Sequence, residues 1–251
     1  MGHGPNLAVA SDGTVYVAWL DYDVTQSAQQ LAPIYLDNST IGGLGGWGTD
    51  VTVGQIWTIS NPIPWNNQRV ATTLCLEVSP TNPLELYLVY GADSDGPQGA
   101  EVADVFFRKS TDSGTTWSTS VRLDPWFKDF SLARWIAVHP DGTIDVAWYC
   151  GWAVVWPPDI RWDVLVARSS DDGNTWPTLM TVGDTTFHTP TDASGQPWLG
   201  DHLTLVPYGS DTYVGFTSSV SDQYGDVYVD LIPGTDGMQN NGYVPNVNKF
   251  P

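Results

Sequence analysis

Two stretches, Ser110-Thr-Asp-Ser-Gly-Thr-Thr-Trp117 and Ser169-Ser-Asp-Asp-Gly-Asn-Thr-Trp176, share the pattern S-x-D-x-G-x-x-W. Each follows a run of alternating, strand-like character, Ala103–Lys109 and Asp163–Arg168. In such a segment the Asp can accept N–H groups of its own turn, the Gly supplies a positive φ, and the Trp packs across the hairpin. Asp112 and Asp171 are therefore expected to be turn-forming and not catalytic.

A second unit recurs around these turns: an apolar run, a tight turn, then a β-branched and aromatic run. It occurs as Leu7–Ala10, Asp12-Gly13, Val15–Trp19, and again as Ile136–Val138, Asp141-Gly142, Ile144–Trp148. Looser copies are Leu74–Val78 with Leu84–Tyr90, and Leu203–Val206 with Tyr213–Phe216. Asp-Gly between alternating strands is a strong hairpin signal. The turn positions Asp12, Asn82 and Asp141 are 70 and 59 residues apart, and Trp47, Trp117 and Trp176 repeat those intervals. Trp47 thus closes a degraded first copy, with Gly42–Gly46 in place of the Asp-containing turn. Four units fill the chain, with boundaries near 1–60, 61–124, 125–185 and 186–251. The fourth has lost its Trp, and the tail Asn240–Pro251 is the local candidate for its last strand. Strands A and B, then C and D, make four antiparallel strands per unit, the pattern of a β-propeller blade.

Composition agrees. The 251 residues hold 25 Asp but only 3 Glu and 3 Lys, with 25 Gly, 18 Pro and 13 Trp, which favours turns and strands over exposed helices. A net charge of −19 repels phosphate backbones and anionic lipid, so neither nucleic acid nor a membrane surface is an expected partner. The longest apolar run is far too short to span a bilayer, and no signal peptide is visible. Cys75 and Cys150 permit at most one disulfide; two buried free thiols is the other reading.

The two S-x-D-x-G-x-x-W segments resemble the Asp boxes of the sialidase (BNR-repeat) superfamily, and Gly4–Asp21, with Asp-Gly-Thr-Val-Tyr-Val-Ala-Trp, resembles an A–B hairpin common in that group. The resemblance implies an all-β fold of four-stranded antiparallel blades, either a closed small ring or part of a six-bladed propeller. It also implies an extracellular setting and a glycan partner. Sialidases have six blades and four are visible here, so apolar end blades are expected to self-associate or to meet further blades.

Alternating strand direction puts A–B and C–D turns on one face, and D–A and B–C connections on the other. The second face collects Trp65, Trp126, Trp152, Trp156, Trp162 and Trp198, with Tyr22, Tyr90, Tyr149 and Tyr224. Flat apolar rings suit stacking on the C–H faces of sugars, and interblade packing is the competing role. Arg69, Arg134 and Arg161 fall there too, whereas Arg108, Arg122 and Arg168 lie on C or D strands. By the resemblance, three arginines would clamp a substrate carboxylate bidentately. Asp93, 24 residues after Arg69, would be the acid/base, and Glu101 with Tyr224 the nucleophilic pair. Arg69 is followed by Val-Ala instead of the family's Ile-Pro, which favours glycan recognition without a complete catalytic set over exo-glycosidase activity. No cofactor is expected. Asp93-Ser-Asp95-Gly and Asp21-Tyr-Asp23 could hold a structural calcium, and His188, Asp192, Asp201 and His202 lack a regular metal-binding spacing.

Overall fold

The computed structural model describes residues 2–23, 25–26, 28–59, 70, 72–97, 103–125, 129–154, 159–192, 194–199, 203–220, 225–234 and 248–250. These form four antiparallel sheets of four strands each, all in chain order. The first holds β1 (Gly2–Val9), β2 (Val15–Asp21), β3 (Leu31–Ser39) and β4 (Val51–Trp57). The second holds β5 (Leu74–Val78), β6 (Leu86–Ala92), β7 (Asp104–Ser110) and β8 (Val121–Arg122). The third holds β9 (Phe130–Val138), β10 (Ile144–Val154), β11 (Asp159–Ser169) and β12 (Thr178–His188). The fourth holds β13 (Thr204–Tyr208), β14 (Asp211–Ser218), β15 (Asp226–Ile232) and β16 (Asn248–Phe250), the last supplied by the C-terminal tail.

The hairpin turns fall where the Asp-Gly and Ser/Asp/Gly signals place them. Asp12 and Asp141 each accept the N–H two residues on, from Thr14 and Thr143, at 2.9 Å. The S-x-D-x-G-x-x-W segments make the β7–β8 and β11–β12 turns with the same bonding. Ser110 Oγ donates to Asp112 Oδ1 at 2.8 Å and accepts the Gly114 N–H at 2.9 Å; Ser169 repeats this with Asp171 and Gly173. Thr116 and Thr175 each give the Asp both a backbone N–H and a hydroxyl. These donors, the hydroxyls foremost, hold the Asp171 carboxyl at about 2 and lower that of Asp112. Both carboxylates are spent inside their own turns. In the first sheet Ser39 keeps the serine's part, bonding Gly43 and Gly45, and pairs with Trp47.

Each box-like turn lies against the A–B turn of its own sheet. Ser113 N–H reaches Leu84 O at 2.9 Å, and Asp172 N–H reaches Gly142 O at 3.3 Å. The two turn types therefore share one end of the sheets, which leaves the β2–β3, β6–β7, β10–β11 and β14–β15 connections at the other.

Successive sheets pack face to face around three cores. Tyr16, Leu20 and Leu36 of the first meet Leu76, Leu86 and Leu88 of the second. Tyr87, Val89 and Phe107 of the second meet Ile136, Val146 and Trp148 of the third. Tyr149, Trp162 and Val166 of the third meet Leu205, Val214 and Phe216 of the fourth. β1, β5, β9 and β13 stand side by side as the inner row. This is a run of propeller blades. Among the described residues the first and fourth sheets share no packed core. Cys75 and Cys150 are buried free thiols in the middle core, and burial pushes the Cys75 thiol up to about 12.

Candidate functional site on the loop face

At the loop end of the second sheet, Asp93 follows the last residue of β6, pairs with Trp57 at the end of β4, and is buried, 3 % exposed. Its Oδ1 accepts the N–H groups of Asp95 (3.2 Å) and Gly96 (2.8 Å), and its Oδ2 accepts Gln29 Nε2 from the β2–β3 loop of the neighbouring sheet. Gly96 has φ +73°, and a Cβ there would lie 3.0 Å from the Trp57 indole nitrogen, so only glycine lets the turn close over that ring. Burial, joined by the side-chain interaction with Asp95, raises the Asp93 carboxyl to about 6 against the lowering effect of Gln29 and Gly96. A carboxylic acid poised there can give or take a proton near neutral pH.

Behind Asp93 a polar chain crosses from the second sheet to the third. Ser94 N–H donates to Asp104 Oδ2 at 3.0 Å; Arg122 Nη2 lies 2.8 Å from Asp104 and 3.2 Å from Asp124. Asp124 also accepts the Val105 N–H and the Ser131 hydroxyl. Arg134 ends the chain. It is buried, donates from Nη2 to Ser131 O at 2.9 Å and from Nη1 to Thr73 O at 3.3 Å, and burial lowers it to about 10. A Cβ at position 91 would collide with its guanidinium, so Gly91 is what admits it. Arg134 serves the framework between blades and does not share an open surface with Arg161.

Arg161 stands on the long β10–β11 hairpin, whose strands run on past the sheet to Val154 and Asp159. The register sets Trp152 opposite Arg161 and Arg161 opposite His188, so the three side chains form one row on one face. Alternation from Trp148 and Cys150 turns that face toward the second sheet, the sheet that carries Asp93. Asp159 anchors the row, bonding Arg161 Nε and His188 Nδ1, each at 2.8 Å. The Arg161 side chain remains 36 % and His188 59 % exposed. Trp198, in the β12–β13 connection, is exposed as well, with its backbone N–H donated to Pro190 O at 2.8 Å.

Three aromatics expected on this face are instead structural. Trp162 is buried with Nε1 on Thr189 Oγ1 at 2.8 Å. Tyr149 is buried and its hydroxyl oxygen accepts the Thr217 N–H at 2.7 Å; Tyr90 is buried in a stack with Phe106. Each sits within a strand and not beyond its end, where alternation directs the ring into an interblade core. Glu101, Tyr224, Arg69, Trp65, Trp126 and Trp156 lie outside the described residues, as do Asp201 and His202. Sequence reasoning passed over Gln29, Trp57 and His188 as partners in the site. Only His188 was visible as a chemical candidate; the other two matter through contacts between sheets. Among the described residues no group of three or more His, Cys, Asp or Glu gathers as a metal site.

No protein-family model and no curated protein matches the chain. Solved structures do. The NanB sialidase from Streptococcus pneumoniae superposes with a TM-score of 0.57 at 9 % identity, over 100 % of this chain and 52 % of that one. The Hadza microbial sialidase Hz136 gives 0.54 at 14 % identity, over 92 % and 47 %. An alpha-L-arabinofuranosidase from Lactobacillus brevis gives 0.52 at 10 % identity, over 98 % and 71 %. The chain spans about half the length of the two sialidases. At these identities the likeness concerns architecture: four blades of a sialidase-like propeller, in a fold shared with other glycoside hydrolases.

Proposed function

We propose that the chain recognises glycans on its loop face, outside the cell, with acidic sugars as the preferred class. The observation that carries this reading is the Trp152–Arg161–His188 row, an indole beside two cationic or cation-capable groups on three adjacent strands, with Asp159 bonding the arginine and the histidine. The ring offers a stacking surface and Arg161 a planar donor for a carboxylate. Trp198 supplies a second ring, an exposed one, on the same end, in addition to the half-buried Trp152. A glycan array with acidic and neutral sugars tests it. Binding to acidic sugars that falls with Trp152→Ala and Arg161→Ala supports the reading; no binding above background to any glycan removes it.

One observation favours hydrolysis as a second reading: Asp93 is a buried acid near 6, held by a neighbouring blade's glutamine. With Glu101 and Tyr224 as its partners, a retaining exo-glycosidase would be complete. Fluorogenic sialoside and arabinoside substrates, compared between the wild type and Asp93→Asn, separate recognition from turnover.

A further inference from the structure

The last strand of the third sheet leaves its partner partway along. Between the pairs Val164↔Val182 and Trp162↔Phe187, one residue of β11, Asp163, stands against four of β12, 183–186. Gly183 opens the excursion at φ +88°, and Thr186 Oγ1 fixes its return by donating to Asp163 Oδ1 at 2.7 Å. A bulge bends its strand away from the regular sheet surface. The matching strand of the first sheet, β4, gains only one residue, Val53, in the same stretch. There Arg108 of the second sheet reaches Val53 O at 2.8 Å, and buried Ile56 fills the space beyond. In the fourth sheet Asp230, paired with Val214 as Arg108 is with Leu88, accepts the Gly183 N–H at 3.3 Å. Beyond that contact the space between the sheets stays open.

The opening is a cleft of about 170 Å³ between the third and fourth sheets. Val182, Phe187, Phe216 and Tyr228, each buried, make its walls, with Phe216 and Tyr228 stacked at 5.8 Å between centroids. Ser218 adds a hydroxyl that accepts the Val220 N–H at 3.3 Å and keeps its own proton to give; Thr185, exposed, stands at the mouth. An apolar cavity of about 150 Å³ takes up benzene, so one six-membered ring fits. Aromatic walls favour an aromatic ring, and the Tyr228 and Ser218 hydroxyls can meet a hydroxyl on it. A carboxylate would find no cation among the described lining residues and would lie near Asp230. We propose that this cleft is a binding site for a neutral single-ring aromatic compound bearing a hydroxyl, of the phenol class. It is separate from the loop-face row: Phe187 lines the cleft while the next residue, His188, joins Arg161, so β12 serves one site on each side.

Titration of the ¹⁵N-labelled full chain with phenol, followed through its amide resonances, tests the proposal. Saturable shifts are expected at Gly183, Thr185, Phe187, Phe216 and Ser218. Benzoate, which would bury its charge, should bind about tenfold or more weakly than phenol, and so should a methyl glucoside, whose hydroxyls the apolar walls cannot satisfy. Val182→Phe fills the cleft from its own wall and should weaken phenol about tenfold or more. Tyr228→Phe combined with Ser218→Ala should erase the preference for phenol over benzene. Should Val182→Phe not fold, the map of shifts in the wild type decides alone. Shifts confined to other residues, no saturable shift, or phenol affinity unchanged in a folded Val182→Phe each overturn the proposal. Loss of phenol binding in Arg161→Ala does so too, because the ring would then sit in the glycan row. Phenol binding that survives Arg161→Ala upholds the cleft whatever a glycan array shows, so the two readings fail separately.

Discussion

Phe107 of the second sheet lies directly under Gly173, in the β11–β12 turn of the third, so closely that a Cβ on the glycine would come within 2.5 Å of the ring. The preceding interface repeats the relationship with Leu36 under Gly114. Trp176 completes it, meeting Phe107 edge-on with centroids 4.9 Å apart. The Ser/Asp/Gly turn therefore does more than end a hairpin. Its glycine is the socket into which the neighbouring blade inserts a side chain.

Gly173→Ala should destabilise by about 2–5 kcal/mol, since φ is +75° and the added methyl overpacks the ring. Phe107→Ala should cost about 3–5 kcal/mol by leaving a cavity. Urea denaturation measures both. A loss below about 0.5 kcal/mol for Gly173→Ala, the range of a neutral surface change, would mean the turn carries no interblade contact.

Asp93 predicts a pH dependence of stability with a definite sign. Its folded value, about 6, lies above the ordinary 3.8, so between those values the folded state holds the proton more tightly. Stability therefore falls as pH rises through that window. Asp93→Asn should flatten that part of the profile. If hydrolysis is found, the same substitution should abolish a limb in the rate profile near pH 6, and a limb that persists would assign it to another group.

A second pH effect belongs to the interface of the third and fourth sheets. Asp145 accepts Arg168 Nε at 2.7 Å and Nη2 at 2.8 Å, while His139 spans Gly209 O and Thr212 Oγ1 at 3.1 and 2.8 Å. The interaction with Asp145, chiefly, raises His139 above 6.5, and Asp145 is held below 3.8 by Arg168 and His139 despite its burial. The imidazolium's contribution is complete below 6.5 and is lost as pH rises through the raised value. The carboxylate's contribution is present above 3.8 and is lost as pH falls through the lowered one. Thermal melting of His139→Gln against the wild type should show the difference shrinking at alkaline pH; an equal difference at all pH would assign His139 a purely neutral role.

For the loop face, Trp152→Ala and Trp198→Ala should each weaken glycan binding by roughly 1–3 kcal/mol, by analogy with base–aromatic stacking, with little change in melting. Titration calorimetry with an acidic oligosaccharide checks it. Unaltered affinity in both variants would move the site off these rings.

What the amino-acid sequence determined by itself was the repeat: period-two strands, Asp-Gly turns and the Ser/Asp/Gly/Trp segments are local signals, each legible because turn dihedrals and hydrogen bonds are set within a few residues. From strand alternation it also followed which connections share an end. Tertiary structure decided which side chains are open there. Trp162 and Trp152 lie ten residues apart on partnered strands, yet one is buried between blades and the other stands beside Arg161. Likewise Arg134 was drawn into a buried network because Gly91, distant in sequence, leaves room for it. The acidity of Asp93 depends on its burial and, among its hydrogen-bond partners, on Gln29 from the adjoining sheet. Burial, and with it pKa and availability to a ligand, is a property of the neighbouring blade, and no local pattern encodes it.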